Sequence, residues 1–472
     1  MENNKKLVVL GAGPGGYAAA FQAANLGLDV VLIDPNDNPG GVCLFHGCIP
    51  TKALLHLAGV KEETEVAEEW GLSYTGVKVD LDKVRSWKES VVKQLTGGLG
   101  QLAKARKVKY MRGTARLKDK NTLEYKSHEG EESDISFDKL IISTGASPSE
   151  LPEMPFDGDV IMNAQTALEL KSVPENLLVV GAGYIGLEMS VIYKALGSKI
   201  TIAEFTSDIL PGVDQDLKDV FKKDRKDLID STMFDTKVTS VSPKGKKLNV
   251  EFENKEGKKS KGSYDKILVA IGGKPNSKEI GLKEVGIETD EKGFIKVDLV
   301  RRTNIENIYA IGDVAGQPML AHKATHEGRI AAEHIAGHKT AYEPRAIPAV
   351  VFTDPEIAWT GLTENEAKEK GIKYEVAKFP WAASGRAVTL GVKNGLTKLI
   401  IDPETDKVLG AGMVGKDAGS LVAEATLAIE MSAVVRDLEL TIHPHPTLSE
   451  TIMEAAEIYY GHATHVYRKR KK

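Results

Sequence analysis

The sequence predicts an α/β protein built from two doubly wound, parallel-stranded units with a further region at the C-terminal end. Three observations predict it. The apolar run Leu7-Val8-Val9-Leu10 passes straight into the glycine-rich turn Gly11-Ala12-Gly13-Pro14-Gly15-Gly16, and Leu177-Leu178-Val179-Val180 passes into Gly181-Ala182-Gly183-Tyr184-Ile185-Gly186. Each turn is followed by a helical stretch and a second apolar run that ends in an acid, Asp34 in one case and Glu204 in the other. At 472 residues the chain is also too long for one ordinary domain, and roughly 100–200 residues per domain points to about three.

The first turn has the parts of a Rossmann-like dinucleotide site. Gly11 permits the tight turn, Gly13 lets the backbone approach a pyrophosphate, and Gly16 lets helix and strand pack closely. The helix N-terminus offers unpaired N–H groups and a positive dipole end to phosphates. Asp34, 18 residues beyond Gly16, can accept from a ribose hydroxyl. The second turn repeats this with Gly181, Gly183 and Gly186, then residues 199–203 and Glu204. One glycine fingerprint is a weak signal; two at matched spacing predict two bound dinucleotides. Next to Glu204 stands Phe205, and no lysine or arginine follows until Lys218. A 2′-phosphate needs a cation there, whereas a free 2′-hydroxyl is served by the carboxylate, so the second unit reads as NAD-binding.

A further repeat marks the far ends of the units. Residues 138–145 and 265–272 each read as a buried strand running into a glycine, Gly145 and Gly272, where the chain crosses between domains. The expected division is 1–146 and 274–345 for one dinucleotide-binding domain, 147–273 for the other, and 346–472 for the C-terminal domain.

Bulk composition excludes several classes. Apolar and charged fractions of 42% and 27% describe a soluble globular chain. A net charge of −5 gives no basic surface for nucleic acid. The one dense positive run, Arg468-Lys469-Arg470-Lys471-Lys472, reads as a solvated end. Lys5 and Lys6 before an apolar run imitate a secretory signal, but Gly11, Gly13, Gly15 and Gly16 break that run, and the first strand begins almost at once. No stretch reads as a membrane span, and a cytoplasmic location is expected. The two cysteines lie five residues apart in a glycine-rich region, which favours redox chemistry over stapling in such a compartment. Without a matching Cys/His set no metal site is expected.

Those cysteines sit in Gly40-Gly41-Val42-Cys43-Leu44-Phe45-His46-Gly47-Cys48-Ile49-Pro50-Thr51-Lys52. Two free thiols acting as small hydrophobes are the bland reading. The pattern Gly-Gly-x-Cys-x-x-x-Gly-Cys-Ile-Pro-x-Lys, however, resembles the active-site segment of the pyridine nucleotide–disulfide oxidoreductases. The resemblance implies a redox-active Cys43–Cys48 disulfide, with Cys43 exchanging with substrate and Cys48 forming the thiolate against a flavin. It places Lys52 near the flavin, paired with Glu188, although a plain ion pair accounts for those two equally well. On a regular helix five residues rise by about 7.5 Å, beyond the limit of about 7 Å for bridged Cα atoms. A bonded pair therefore requires a distorted first turn, which Gly47 and Pro50 make plausible.

Near the C-terminal end stands His443-Pro444-His445-Pro446-Thr447-Leu448-Ser449-Glu450. Attack on a disulfide needs a thiolate, so a base that titrates near neutrality is the missing part, and histidine with a carboxylate partner supplies one. From these residues alone a structural histidine is the better reading. The segment is similar to the family's His-Pro-Thr-Leu-x-Glu motif, which implies His445 as the base and Glu450 as its partner, with no catalytic duty for His443. In that family the base serves the redox pair of the other subunit, so a homodimer is implied, its site completed by His445 of the partner subunit.

The resemblance runs over about residues 6–461. Ile308-Tyr309-Ala310-Ile311-Gly312-Asp313 looks like the second FAD segment, with Asp313 on the ribityl chain and Leu320 and Ala321 beneath the flavin. It adds Gly41, Val42, Ala115 and Gly145 to the FAD set, and Tyr184, Ile185, Glu188, Val238 and Gly272 to the NAD set. Phe352-Thr353-Asp354-Pro355-Glu356 resembles the start of an α+β interface domain. Val42, Phe45-His46 and Gly273 depart from the usual pattern without removing a reacting group. The implied activity is oxidation of a protein-bound dihydrolipoyl dithiol, on the lipoyl domain of an E2 or H-protein type carrier, with FAD and NAD as cofactors. An NAD(P)H-driven reductase of another small disulfide is the alternative enzyme. A flavin-containing binding subunit or redox sensor is the alternative of another class, against which the presence of Cys43, Cys48, His445 and Glu450 argues. Relatives that need extra C-terminal cysteines are disfavoured by the cysteine count, and NADPH-dependent ones by Glu204.

Overall fold

The computed structural model describes residues 5–467; the basic run 468–472 lies outside the described residues. The chain forms two compact units. One comprises residues up to 54, 78–171 and 271–343; the other comprises 55–77, 172–270 and 344 onward.

In the first unit the apolar run condenses into the strand Lys6–Leu10, which lies parallel between Asp29–Asp34 and Lys139–Ile142. Leu7, Val8 and Val9 are fully buried, as expected of a strand covered on both faces. Ile308–Ala310 and Lys109–Leu117 extend the parallel sheet on its two sides, and Thr122–Ser127 and Glu132–Ser136 continue it as an antiparallel meander. The helix Pro14–Asn25 starts with proline in its first turn and presents Gly15, Gly16, Ala19, Ala20 and Ala23 inward. These small residues let the helix Ala321–Ile335 approach closely: a Cβ on Gly328 would stand 2.5 Å from the Gly15 carbonyl oxygen.

In the second unit Asn176–Val180 repeats the central strand, parallel to Lys199–Ala203 and Lys266–Val269, with Ser231–Met233 beyond Lys199–Ala203. The antiparallel strands Thr236–Lys244, Lys247–Asn254 and Lys259–Tyr264 follow. From residue 349 the chain builds a separate antiparallel sheet in the order Ala349–Val351, Glu356–Gly361, Val408–Gly415, Leu396–Ile401, Glu375–Pro380. The helices Ala418–Glu430 and Glu450–Tyr460 supply Val422, Ala425, Ile452 and Ala455 to its core. Trp381, fully buried, anchors that core, and its Nε1–H donates to Thr397 Oγ1 at 2.9 Å. Thr397 donates to Thr451 Oγ1 at 2.9 Å, and Thr451 donates to the Leu448 carbonyl at 2.7 Å. The hydroxyl chain pins the segment around Glu450 to the sheet.

Within the second unit the fully buried Lys398 ammonium sits among Asp214, Asp216 and Glu364, at 2.6, 2.8 and 2.9 Å. Asp214 also accepts the backbone N–H groups of Glu364 and Asn365, at the start of the helix Glu364–Lys370. A lysine so deep in the protein requires such partners.

These compact units differ from the domain division expected at residues 146, 273 and 345. Residues 147–171 join the first unit because Lys88 and Arg85 of the helix Leu81–Ala105 donate to the carbonyls of Leu168 and Leu170, each at 2.7 Å. Residues 55–77 join the second because Glu62 receives both guanidinium nitrogens of Arg225 and Glu63 receives Lys416. One sequence expectation needs correction. Within the helical stretch Gly41–Trp70, a window of 18 residues reaches a mean hydropathy of 1.2, so by length and composition alone the stretch is long and apolar enough to cross a membrane. Sequence reading missed it because the run is interrupted at Gly47 and ends in Glu62, Glu63 and Glu65.

Candidate functional site

Gly11 adopts a φ of +97°, and a Cβ there would stand 2.3 Å from the Ser143 carbonyl oxygen. A Cβ on Gly16 would stand 1.8 Å from the Gly11 carbonyl oxygen, so the strand and helix meet through that glycine. Gly13, which precedes the helix Pro14–Asn25, has open space on its Cβ side and no side chain capping the helix. Bare N–H groups facing open space form the cradle a pyrophosphate requires. Asp34 is buried and braces the turn: it accepts from the Ala12 N–H at 2.8 Å and from the Asn36 backbone and side-chain N–H groups at 3.0 and 2.8 Å. These bonds leave a carboxylate lone pair for a ribose hydroxyl.

The cysteine segment is seated on this turn. Gly40 donates its N–H to the Ala12 carbonyl at 2.8 Å, and a Cβ on Gly41 (φ +57°) would stand 2.5 Å from Gly13 Cα. A short helix, Gly41–His46, then breaks at Gly47, and a new helix, Cys48–Val66, begins. A Cβ on Gly47 would lie 3.0 Å from the Val42 carbonyl oxygen and 3.4 Å from Cys43 Cα. Without a side chain there, the second helix folds back until the two thiols meet. The break is the distortion that a regular helix would have denied. Cys43 and Cys48 are reduced here, and Cys43 shares a side-chain hydrogen bond with Cys48. That bond, then burial and the charge on Cys48, push the Cys43 thiol far above its ordinary range. Cys43 therefore holds its proton. Cys48 is exposed and Cys43 half-buried.

The second FAD segment reaches the same place. A Cβ on Gly15 would stand 3.2 Å from Ile311 Cδ1, and one on Gly312 would stand 3.1 Å from Ala324 Cβ. Asp313 lies in the turn Gly312–Ala315, where burial raises its carboxyl above the usual range against the pull of Lys323. Glu327, fully buried beneath, accepts the Gly312 N–H at 2.6 Å and pairs with Lys323 at 3.0 Å. Leu320 precedes the helix Ala321–Ile335, so Ala321 stands at its N-terminus. The first unit thus gathers Gly11, Gly13, Gly16, Asp34, Gly41, Val42 and both cysteines with Asp313, Leu320 and Ala321. Lys52 lies one turn along the helix from Cys48, half-buried, and Ala115 lies in the strand Lys109–Leu117. Gly145 takes a φ of +71° and its carbonyl receives the Asn276 N–H.

The second turn repeats the first closely. Gly181 takes a φ of +104°, a Cβ on Gly186 would stand 2.1 Å from the Gly181 carbonyl oxygen, and Gly183 again faces open space before an uncapped helix, Tyr184–Ala195. Tyr184 is exposed and Ile185 half-buried on its first turn. Glu204 accepts from the Ala182 N–H at 2.6 Å and from the Thr206 N–H at 2.7 Å, the bracing that Asp34 gives the first unit. Glu188 is buried and accepts the Phe352 N–H at 3.0 Å. Val238 is buried in the strand Thr236–Lys244. Gly272 takes a φ of +97°.

His445 Nδ1 lies 2.8 Å from Glu450 Oε1, and Glu450 Oε2 accepts the Thr447 N–H at 2.7 Å. Burial pushes the Glu450 carboxyl up, but the Thr447 N–H and His445 outweigh it and hold it below the usual range. The carboxylate thus fixes a ring whose side chain is 70% exposed. His443 is different: its ring is buried between Glu424 Oε1 at 2.7 Å and the Thr441 carbonyl at 2.9 Å. Glu424 chiefly raises its pKa.

Sequence reasoning missed Tyr17, whose phenol is raised first by burial and then by the charges of Cys43 and Cys48. Its position one turn beyond Gly13 was the available signal. It also missed Arg225 and Lys416, which hold the acidic end of the helix that begins at Cys48. No spacing rule reaches across that separation.

The family model described as pyridine nucleotide-disulphide oxidoreductase matches residues 5–328, and that family's dimerisation domain matches residues 347–456. The dihydrolipoyl dehydrogenase of Vibrio cholerae is 48% identical over 463 residues, covering 98% of this chain and 97% of its own. That of Haemophilus influenzae is 47% identical, covering 98% and 96%. The crystal structure of LpdA from Mycobacterium tuberculosis aligns with a TM-score of 0.89 at 28% identity, covering 96% of this chain and 99% of that one. With two glycine cradles, a thiol pair seated on the first of them and family matches over most of its length, the chain belongs to the pyridine nucleotide-disulphide oxidoreductases.

Proposed function

We propose that this protein oxidises a dihydrolipoyl dithiol, carried on the lipoyl domain of a separate E2 or H-protein type carrier, and delivers the electrons to NAD. The names of its near relatives support that substrate. The observation that carries the reading is the thiol contact across Gly47, at the head of a helix seated on a phosphate cradle.

The cradle fits FAD, held by Gly11, Gly13, Gly16, Asp34, Gly41, Val42, Lys52, Ala115, Gly145, Asp313, Leu320 and Ala321. NAD is assigned to Gly181, Gly183, Tyr184, Ile185, Gly186, Glu188, Glu204, Val238 and Gly272. Bound FAD supplies a two-electron relay between the sulfur pair and the nicotinamide.

His445 takes a proton from one substrate thiol, and Glu450 stabilises the charged ring that results. The substrate thiolate attacks Cys43 Sγ of the oxidised pair; the Cys43–Cys48 bond breaks and Cys48 leaves as the thiolate. The second substrate sulfur then attacks the first, closing the lipoyl ring. Cys43 departs and takes up the proton that the second substrate thiol gives up, while His445 keeps the first. The product state has a protonated Cys43 beside an ionised Cys48, and the raised Cys43 thiol supports that assignment. The exposed apolar residues Leu427, Met431, Leu440 and Ile442 on the dimerisation domain support a homodimer, in which His445 of the partner subunit serves each sulfur pair. A cytoplasmic setting, where a dithiol stays reduced, suits such a substrate.

The test is steady-state turnover of dihydrolipoamide with NAD against NADP, and reduction of lipoamide against glutathione disulfide. Serine at either Cys43 or Cys48 should abolish turnover while flavin stays bound. A colourless protein, or turnover that survives loss of a sulfur, sinks the reading.

A further inference from the structure

We infer that Asp208 is a specificity-determining residue that keeps Lys218 and Lys222 from serving a phosphate on the adenosine ribose. The inference rests on the assignment of Glu204 to that ribose. In the sequence, the loop after Glu204 reads as free of cations until Lys218. Folding changes that. The loop is laced to the glycine turn, because the Leu210 N–H donates to the Ala182 carbonyl at 3.0 Å. The Thr206 hydroxyl lies 2.8 Å from Glu204 Oε1 and 2.9 Å from the Asp208 carbonyl oxygen, so a single hydroxyl links the ribose acid to Asp208. The helix Gln215–Asp224 then brings two ammonium groups back to the same loop: Lys222 Nζ lies 2.5 Å from Asp208 Oδ1, and Lys218 Nζ lies 3.3 Å from Oδ2.

Asp208 is well placed to hold them. Its Oδ1 also accepts the Ile209 N–H at 2.7 Å, and its side chain is only 19% exposed. Burial pushes its carboxyl up, but Lys222, the Ile209 N–H, Gln215 and Lys218 outweigh burial and keep it ionised below the usual range. A 2′-phosphate brings about two negative charges at neutral pH and needs cations that are not already neutralised. The two lysines and Asp208 together carry one net positive charge; removing the carboxylate charge doubles it. Lys222, with 38% of its side chain exposed, is the one with room to turn toward a ligand. Discrimination against the phosphorylated cofactor therefore has two parts, a Glu204 that repels phosphate and an Asp208 that occupies the cations able to attract it. Glu204 remains in an Asp208 variant, so the expected change is a gain in phosphate affinity without a reversal of preference.

The experiment is titration calorimetry of the flavin-loaded protein with 2′,5′-ADP and with 5′-AMP, which carry no nicotinamide and do not turn over. Asp208→Asn should bind 2′,5′-ADP about tenfold more tightly than the unsubstituted protein, a difference of about 1.4 kcal/mol, with 5′-AMP changed by less than about twofold. Adding Lys222→Met should erase the gain. If Asp208→Asn does not fold, Asp208→Ser, which keeps an oxygen near the Ile209 N–H, gives the same reading. No gain for 2′,5′-ADP, or an equal gain for both nucleotides, overturns the inference. Failure to oxidise dihydrolipoamide defeats the substrate reading alone, since calorimetry needs no turnover.

Discussion

At the scale of single residues, the imidazoles of His443 and His445 show how two side chains of one type, two positions apart, are given different work. His445 is exposed and touches one carboxylate; His443 is buried and held at both nitrogens. His445→Gln should lower kcat for dihydrolipoamide by roughly 10²–10⁴-fold, the usual contribution of a positioned base, with the flavin spectrum unchanged. Glu450→Gln should lower it less, because the ring stays while its orienting charge is lost. A spectrum altered by either change would place these residues in folding rather than in proton transfer. His443 makes a prediction about pH. Its folded pKa lies above the 6.5 of an unperturbed histidine, chiefly through Glu424, so the stability it contributes is full below 6.5 and disappears as pH rises through the folded value. The Tm deficit of His443→Asn should therefore be largest near pH 6 and shrink toward pH 9 in thermal unfolding followed by circular dichroism. A deficit that does not change with pH would mean the ring acts by packing alone.

At the scale of elements, Gly47 matters more than its lack of chemistry suggests. It divides the cysteine segment into two helices and lets Cys48 return to Cys43. Gly47→Ala sets a methyl 3.0 Å from the Val42 carbonyl oxygen, and relief of that contact should part the sulfurs. Air-oxidised Gly47→Ala should expose titratable thiols to a disulfide-exchange reagent, whereas the parent protein exposes none. Full oxidation of the variant would show that the break is not needed. This glycine was legible in the sequence because a regular helix cannot bring residues five apart together. The two glycine turns were legible for a similar reason, since strand, turn and helix impose a local spacing that the chain must show. Asp34 and Glu204 were read only as ribose partners; their bonds to the Ala12 and Ala182 N–H groups depend on the turn's folded path. The return of Lys218 and Lys222 to the Glu204 loop was illegible altogether, because it comes from a helix docking and not from a spacing. His445 was legible only through likeness to a family, for a histidine between prolines has no chemical signature of its own.

At the scale of the whole molecule, two features bear on stability and assembly. The Lys398 ammonium holds the helix Gln215–Asp224 and the helix Glu364–Lys370 to the C-terminal sheet through three carboxylates. Lys398→Met leaves the buried Asp214 without its ammonium, although Lys378 still reaches Asp216 at 2.8 Å, and should cost about 3–5 kcal/mol in denaturant unfolding. A loss near zero would mean that water or Lys378 replaces the ammonium. Ile442 is 95% exposed, and Leu427, Met431 and Leu440 of the same domain are exposed as well, which makes this apolar residue a candidate for a subunit contact. Ile442→Asp should shift the protein to monomer in sedimentation and depress turnover with it. A dimer that persists would place the interface elsewhere. The doubled duty of Asp34 and Glu204 reaches further still. Because the same carboxylate that recognises a ligand also splints the turn that receives it, neither acid can drift to another residue by small neutral steps. A change of nucleotide preference on this scaffold therefore has to repair the turn as well as the ribose contact.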